Sequence, residues 1–288
     1  MARLPALVSV LATPALLAAA AVTPRDGNSR IIGGGLAQLG EVPELLSLGF
    51  KDQGGCGAVL LSAKIALTAA HCVTTAALVP GKPQPDVHLN WVRTKSLWRE
   101  SGGLRVNVSA VVEHPGYVWY TNDCDIALLH LKDPIPEGPL VRYAKLPKKD
   151  SEPADHLRST VAGWGHVSWP SPGDPGPPAP PPNSTLPPDP PRPLKKVDVS
   201  IVRRSDCQDL YFKASGRRTI TRDMICAGTK TESTCNGDSG SPLFDKATRE
   251  VIGLVSFGDD CGVTGNPTVF TRVSKFIDWI EGQMKEAK

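Results

Sequence analysis

Three segments of the sequence carry residues that could together cleave an acyl bond. Ser239 lies in the hexapeptide Gly-Asp-Ser-Gly-Ser-Pro, His71 in Thr-Ala-Ala-His-Cys, and Asp125 before the apolar run Ile-Ala-Leu-Leu. A serine hydroxyl is a weak nucleophile at neutral pH unless an adjacent base takes its proton. A histidine is such a base when a carboxylate orients it and stabilises its cationic form. These residues predict nucleophilic catalysis by Ser239, with His71 as base and Asp125 as orienting group.

Each of these residues also has a purely structural interpretation. A serine in a glycine-rich segment is usually part of a turn, a histidine in an apolar run is usually packed in the core, and an aspartate before a strand is usually a cap. The combination favours catalysis, because a nucleophile, a base and an orienting group are all required and all present.

The segments that must position these residues have the pattern of short β-strands. Several apolar runs alternate with period two, and Gly, Pro or Asp separate them, which predicts an antiparallel all-β body. The runs are 45–48, 58–61, 65–67, 106–108, 126–129, 197–201, 251–255 and 269–270. A C-terminal helix is expected after a Ser274 cap, because Phe276, Ile277 and Ile280 recur at helical spacing. A shorter helix is expected from near Ser205 to Phe212.

Composition limits the class of protein. The 288 residues allow one large domain or two small ones. A hydrophobic content of 40% and a charged content of 21% exclude collagen, coiled coil and wholesale disorder. The net charge is +3 without a long basic run, so nucleic acid is not an expected partner. Seven cysteines is an odd number, so at least one lacks an intramolecular partner.

The N-terminus has the features of a secretory signal. Arg3 precedes an apolar stretch over 4–22 that ends in small residues, so residues 1–20 are interpreted as a signal peptide. The alternative, a membrane anchor, is weakened because the stretch is barely long enough to span a bilayer and contains Pro5 and Pro14. The mature chain is expected outside the cell and away from membranes, where cysteine pairs form disulfides.

The segment 21–30 is short and polar, and it ends at Arg30 before the branched apolar Ile31. This pattern predicts a propeptide that is removed by proteolytic cleavage after Arg30. Asn107 and Asn183 both begin N-glycosylation acceptor sequences. Half of the residues in 168–193 are proline, which predicts an extended loop insertion. That loop is either a solvated insertion or a surface that selects substrates.

Five motifs in one order resemble the trypsin/chymotrypsin family of serine proteases, from Ile31 to the C-terminal helix. They are Ile-Ile-Gly-Gly at 31–34, Thr-Ala-Ala-His-Cys at 68–72, Asp-Ile-Ala-Leu at 125–128, Gly-Trp-Gly at 163–165 and Gly-Asp-Ser-Gly at 237–240. The resemblance implies two packed antiparallel six-stranded β-barrels with a C-terminal α-helix, and one protease domain over 31–288. It also implies a serine endopeptidase made as a zymogen, with the catalytic residues in the cleft between the barrels.

The resemblance assigns the roles in catalysis. Ser239 attacks the scissile carbonyl, His71 transfers the proton, and Asp125 orients His71. The backbone N–H groups of Gly237 and Ser239 form the oxyanion hole, and Ser256 supports Asp125. In activation, the Ile31 amine that is freed by cleavage after Arg30 pairs with Asp238.

The resemblance also implies three disulfides, namely Cys56–Cys72, Cys207–Cys226 and Cys235–Cys261. Cys124 is left over, as a buried free thiol or, alternatively, as an intermolecular disulfide or a redox-sensitive site. Two departures from the family pattern are Ser241, where glycine is more usual, and Phe257, where tryptophan is commoner. No histidine lies near Gly54-Gly55, so the zymogen lacks the histidine contact that often holds the equivalent of Asp238.

The resemblance also implies a substrate pocket with Ser233 as its floor and Gly258 and Thr268 as its walls, and these residues predict a preference for apolar side chains before the scissile bond. The alternatives are Arg or Lys selection by a displaced acid (Glu232, Asp259 or Asp260), an ester or other acyl donor as the main substrate, and an inactive binding protein of this fold. We expect no metal and no cofactor. The expected partners are protein or peptide substrates, an activating protease and protein inhibitors, and we expect a monomer.

Overall fold

The computed structural model describes residues 33–50, 53–74, 89–165, 193–215 and 219–286. The regular secondary structure of these residues is mostly β-strand, with two α-helices. The strands are β1 (Gly35–Leu36), β2 (Leu45–Phe50), β3 (Gln53–Ser62), β4 (Ile65–Thr68), β5 (Leu89–Thr94), β6 (Leu104–Val106), β7 (Val108–Glu113), β8 (Ala127–Leu131), β9 (Arg158–Gly163), β10 (Lys195–Val202), β11 (Met224–Ala227), β12 (Pro242–Asp245), β13 (Val251–Phe257) and β14 (Thr268–Arg272). The α-helices are α1 (Arg204–Ser215) and α2 (Ile277–Glu286).

The first half of the described chain forms a seven-stranded antiparallel sheet. Its strand order is β6-β5-β2-β3-β4-β8-β7, which makes a half-barrel with β6 and β7 at the edges. Its interior is filled by branched and aliphatic side chains, including the fully buried Leu46, Leu60 and Leu129. The pairing of β4 with β8 brings the segments that end near His71 and begin near Asp125 to the same end of the sheet.

The second half forms a closed barrel. Strands β9, β12, β13, β14, β11 and β10 pair in that order, and β10 returns to pair with β9, while β1 adds to the outside of β10. Strand β10 shows the alternation that its sequence predicts, because Val197, Val199 and Ile201 are buried and the residues between them are partly exposed. The expected all-β fold class is therefore confirmed, with one closed six-stranded barrel, while the other expected barrel is a seven-stranded half-barrel in the described residues.

The two sheets pack on each other through one apolar cluster. Leu67 and Ile126 from the first half contact the layer that contains Phe244 and Leu254 from the second half, and Ile280 of α2 belongs to the same cluster. Burial of this shared layer holds the two halves together, because apolar area removed from water stabilises by roughly 25 cal/mol per Å². The boundary between the halves is the place where loops from both can meet.

Both predicted helices are present. Helix α1 is tied to β11 by the Cys207–Cys226 disulfide. Helix α2 follows a 3₁₀ turn at Val273–Lys275, and the predicted Ser274 cap is wrong, since Ser274 lies inside that turn and its hydroxyl donates to Ser151 O at 2.6 Å. Among the described residues, no helix has the length and apolar character needed to cross a membrane.

Candidate active site

His71 is placed by a short 3₁₀ turn, Ala70–Cys72, directly after β4. The Cys56–Cys72 disulfide ties this turn to β3. Asp125 precedes β8, and β8 pairs with β4 so that Ala127 lies opposite Thr68. The strand register therefore brings Asp125 next to the turn that carries His71, although 54 residues separate the two in sequence.

Asp125 is fully buried and is surrounded by donors. Its Oδ1 accepts the backbone N–H of His71 at 2.8 Å, and its Oδ2 lies 2.8 Å from the ring Nδ1 of His71. The hydroxyl of Ser256 donates to the same Oδ2 at 2.5 Å, and the hydroxyl of Thr271 donates to the Asp125 carbonyl at 2.7 Å. A proton on Nδ1 that faces a carboxylate leaves Nε2 as the basic nitrogen of the ring.

Ser239 lies in the turn between Cys235 and β12, and it reaches both halves of the molecule. Its carbonyl accepts the N–H of Gly57 in β3 at 2.7 Å, and the next residue, Gly240, donates to Val255 O in β13 at 2.8 Å. In the described part of the chain, no hydrogen bond joins the Ser239 hydroxyl to His71, whose Nε2 lies 3.8 Å from Cys72 Sγ. Catalytic hydrogen bonds are often long without substrate and tighten when it binds.

The same turn offers two backbone donors. The N–H groups of Gly237 and Ser239 donate no hydrogen bond to any described residue. The turn is held by Asp238 N–H to Cys235 O at 3.0 Å and by Ser241 N–H to Asp238 O at 2.9 Å. Fixed N–H donors of this kind can stabilise the oxyanion of a tetrahedral intermediate without reorganising during the reaction.

Asp238 is fully buried. Its Oδ1 accepts the N–H of Gly165 at 2.7 Å, and its Oδ2 accepts the N–H of Cys235 at 3.0 Å. A Cβ at either Gly163 or Gly165 would overlap this carboxylate. The Gly-Trp-Gly motif is thus explained by the space that Asp238 needs. The predicted cleavage site, Arg30, and the predicted partner of Asp238, the Ile31 amine, both lie outside the described residues.

An open cleft beside Ser239 encloses about 600 Å³, including the solvent at its mouth. Its lining is Thr234, Cys235, Asn236, Ser239, Val255, Ser256, Phe257, Gly258 and Cys261. Of the three predicted pocket residues, Gly258 lines this cleft, whereas Ser233 and Thr268 are buried behind Thr234. The Thr268 hydroxyl lies 2.8 Å from that of Thr234 and 3.2 Å from that of Ser233.

Two of the acids that could select a basic substrate side chain, Glu232 and Asp259, contact other residues of the protein. The Glu232 carboxylate lies 3.8 Å from an Arg158 nitrogen, and Asp259 Oδ2 accepts the side-chain N–H of Asn266 at 3.1 Å. Neither acid lines the cleft. The Asp260 side chain lies outside the described part of the structure.

The structure forms three disulfides, and they are the three pairs that the resemblance implies. Cys124 is a free, partly buried cysteine whose Sγ lies 3.9 Å from Asp223 Oδ2. Burial, together with the charges of Asp123 and Asp223, raises the pKa of the Cys124 thiol to about 12. The thiol therefore stays protonated at neutral pH, which argues against a redox-sensitive role.

Asn107, the first of the two predicted glycosylation acceptors, is exposed between β6 and β7. Asn183 lies outside the described residues, as does all of the proline-rich segment except Pro193.

A polar group beside the candidate catalytic residues was not found from the sequence. Glu113, at the end of β7, is only 6% exposed, and its Oε2 lies 2.7 Å from the Thr74 hydroxyl. Burial and the nearby charge of Asp125 raise the pKa of Glu113. The signal that could have found it is the acid at the end of the apolar strand Val-Ser-Ala-Val-Val-Glu, where a hydrophobic residue is expected.

Comparisons with known proteins show which family this chain belongs to. The family model for trypsin matches residues 31–280. A vitellin-degrading protease of Bombyx mori is 31% identical over 267 residues, which are 92% of this chain and 89% of that protein. Trypsin 5G1 of Aedes aegypti is 32% identical over 257 residues, or 88% and 85% of the two chains. The alkaline B trypsin of Manduca sexta is 30% identical over 272 residues, or 91% and 94%.

Proposed function

The chain belongs to the trypsin family and is a serine endopeptidase, and from that premise we propose that it is a secreted zymogen whose mature form uses Ser239, His71 and Asp125. The observation that carries the proposal is the double hydrogen bond between His71 and Asp125. A buried carboxylate that binds both the backbone and the ring of a histidine holds that ring in one orientation and one tautomer.

In the proposed mechanism, His71 Nε2 takes the proton of Ser239 as its Oγ attacks the scissile carbonyl. The tetrahedral intermediate places its negative oxygen at the N–H groups of Gly237 and Ser239, where one donor is typically worth about 10²–10³ in rate. The imidazolium then gives its proton to the leaving amine, and an acyl-enzyme remains on Ser239. Water, deprotonated by His71, releases the acid and restores the free serine.

Activation is proposed to follow cleavage after Arg30. The new Ile31 amine would bring a positive charge to the buried Asp238 carboxylate, and a buried charge is costly unless it is paired. Asp238 lies between Gly237 and Ser239, so its position sets the orientation of both oxyanion donors. In this account residues 1–20 are removed as a signal peptide, residues 21–30 form the propeptide, and the mature enzyme is 31–288.

We extend the proposal to glycans at Asn107 and Asn183 and to a monomeric state, with an activating protease and inhibitors as partners.

For substrate choice, we propose apolar side chains before the scissile bond. The support is that no described acid lines the cleft and that the hydroxyls of Ser233 and Thr268 bond to each other. Because the Thr268 side chain occupies space behind Thr234, the pocket should be shallow and its preference among apolar residues broad.

The proposal is tested by covalent labelling of Ser239. Full-length protein is treated with trypsin, and N-terminal sequencing identifies a chain that begins Ile-Ile-Gly-Gly. The cleaved protein should react once with a fluorophosphonate at Ser239 and should hydrolyse a Phe or Leu anilide faster than an Arg anilide. The intact Arg30→Gln protein should label at least tenfold more slowly, and Ser239→Ala should not label. A cleaved protein that neither labels nor hydrolyses contradicts the proposal.

A further inference from the structure

A second buried carboxyl group lies beside the proposed catalytic pair. Glu113 ends β7 and is paired across the sheet with Ala127, two residues after Asp125. Its side chain is 6% exposed. The charge of Asp125 acts on it, which places its carboxyl group within electrostatic reach of the catalytic pair. Burial of a carboxylate is costly unless it is paired or hydrogen-bonded, so the contacts of this acid require an explanation.

Thr74 links Glu113 to the turn that carries His71. Its hydroxyl oxygen lies 2.7 Å from Glu113 Oε2 and 2.7 Å from the Ala70 carbonyl, the first residue of that turn. A hydroxyl has a single proton and cannot donate to both acceptors at once. When Glu113 is ionised, the hydroxyl donates to the carboxylate. When Glu113 is protonated, the acid donates to Thr74 and Thr74 donates to Ala70.

The ionised arrangement leaves no carbonyl unsatisfied. Ala70 O still accepts the backbone N–H groups of Val73 and Thr74, both at 2.9 Å. The other titratable group that faces this acid is Tyr117, in the loop after β7, and burial together with the charges of Asp125 and Glu113 raises the pKa of its phenol. From the closed barrel, the uncharged hydroxyls of Ser256 and Thr271 donate hydrogen bonds to Asp125. Neither tyrosine nor hydroxyl supplies a negative charge at neutral pH, so among these described groups only an ionised Glu113 adds a negative charge to that of Asp125.

We propose that Glu113 is a positioning residue for the reaction: through Thr74 it holds the turn of His71, and its carboxylate adds negative charge that stabilises the imidazolium. This inference rests on the proposed triad. The imidazolium forms when His71 accepts the proton of Ser239, so charge beside Asp125 lowers the energy of that step. The same charge favours the protonated ring in the free enzyme, where it opposes catalysis at low pH.

The test compares the pH dependence of kcat/KM in the activated wild type and in Glu113→Gln, which keeps the size and a hydrogen-bonding group but removes the charge. The plateau of kcat/KM should fall about three- to tenfold, and the acidic limb of the pH profile should move to lower pH by about half a unit or more. Thr74→Val should lower the plateau with a smaller movement of the limb, and Thr74→Ser should restore it. Glu281→Gln, at an exposed position of α2, is the matched control and should change neither quantity.

Concentrations of active enzyme come from fluorophosphonate titration of Ser239, and circular dichroism checks that each variant is folded. If the wild type labels but the limb of Glu113→Gln stays in place, the inference is overturned and the proposed function stands, even if kcat falls. If Glu113→Gln does not fold, Thr74→Val decides through the plateau, because that variant keeps the charge but breaks the link to the turn of His71. An unchanged plateau in Thr74→Val then overturns the inference. Failure of the wild type to label overturns both proposals.

Discussion

Asp125 holds His71 at two points, with its Oδ1 on the backbone N–H and its Oδ2 on the ring Nδ1, each at 2.8 Å. One carboxylate therefore fixes both the middle of the turn and the plane of the imidazole. The Ser256 hydroxyl, 2.5 Å from the same Oδ2, fixes the carboxylate in turn. The orientation of the base depends on this chain of contacts and not on the local sequence around His71.

Asp125→Asn should abolish most of the activity without loss of the fold. An amide N–H that faces Nδ1 favours the opposite tautomer, so Nε2 would carry the proton and could not act as a base. We expect kcat to fall about 10⁴-fold. Ser256→Ala is the comparison, since it removes one donor and keeps the carboxylate, and it should cost about tenfold. Steady-state kinetics on titrated enzyme measure both, and similar losses in the two variants would contradict this account.

Thr268→Gly should deepen the substrate pocket. The change removes a side chain whose hydroxyl lies 2.8 Å from that of Thr234, next to the cleft. The ratio of kcat/KM for a Phe substrate to that for an Ala substrate should rise about tenfold or more. Thr268→Ser keeps the hydroxyl and should leave the ratio near that of the wild type. An unchanged ratio in Thr268→Gly would show that Thr268 does not limit the depth of the pocket.

His114 should make the protein less stable in acid. Its ring packs edge-on against Phe276 and Trp279, with centroids 5.0 Å apart in each case, and burial lowers its pKa, although the charge of Asp223 opposes this. A lowered pKa means that the neutral ring contributes stability above about pH 6.5, and that this contribution is lost as the pH falls through the value in the folded protein.

The measurement for His114 is the free energy of unfolding by urea at pH 7 and pH 5. His114→Phe keeps a ring in the contact but cannot be protonated, so it should lose less stability between the two pH values than the wild type. The expected difference is about 1.4 kcal/mol for each unit by which the pKa is lowered. Burial also lowers the pKa of His130. Because His130 is present in both proteins, its effect on the free energy of unfolding cancels in the comparison. Parallel losses in the two proteins would exclude this role for His114.

Cys124 should resist alkylation in the folded protein. With its thiol pKa raised to about 12, only about 10⁻⁴ of it is thiolate at pH 8. Iodoacetamide should therefore modify the native protein slowly and the urea-unfolded protein rapidly, as followed by mass spectrometry. Cys124→Ser should incorporate no label in either state. Stoichiometric labelling of the native wild type within minutes would show an accessible, activated thiol.

The chemistry and the fold class could be predicted from the sequence to a large extent. A catalytic serine needs a base and an orienting group, and the residue types of 68–72, 125–128 and 237–240 specify them in short motifs. The strand pattern and helix α1 were also predicted, because periodicity and turn residues act over a few neighbours. Ser274 was predicted wrongly as a helix cap, since its hydroxyl bonds instead to the distant Ser151 carbonyl.

By itself, the sequence determined which residues could react and that their motifs follow one another in the order of the family. Both facts depend only on residue type and on spacing along the chain. Only the tertiary structure decided that Thr268 lies behind the lining of the cleft, that Asp238 requires Gly163 and Gly165, and that Glu113 is a buried acid beside Asp125. Each of these facts depends on strands that pair across long stretches of chain. Burial and charge around a side chain arise only when such strands pack, so they have no signature in the neighbouring residues.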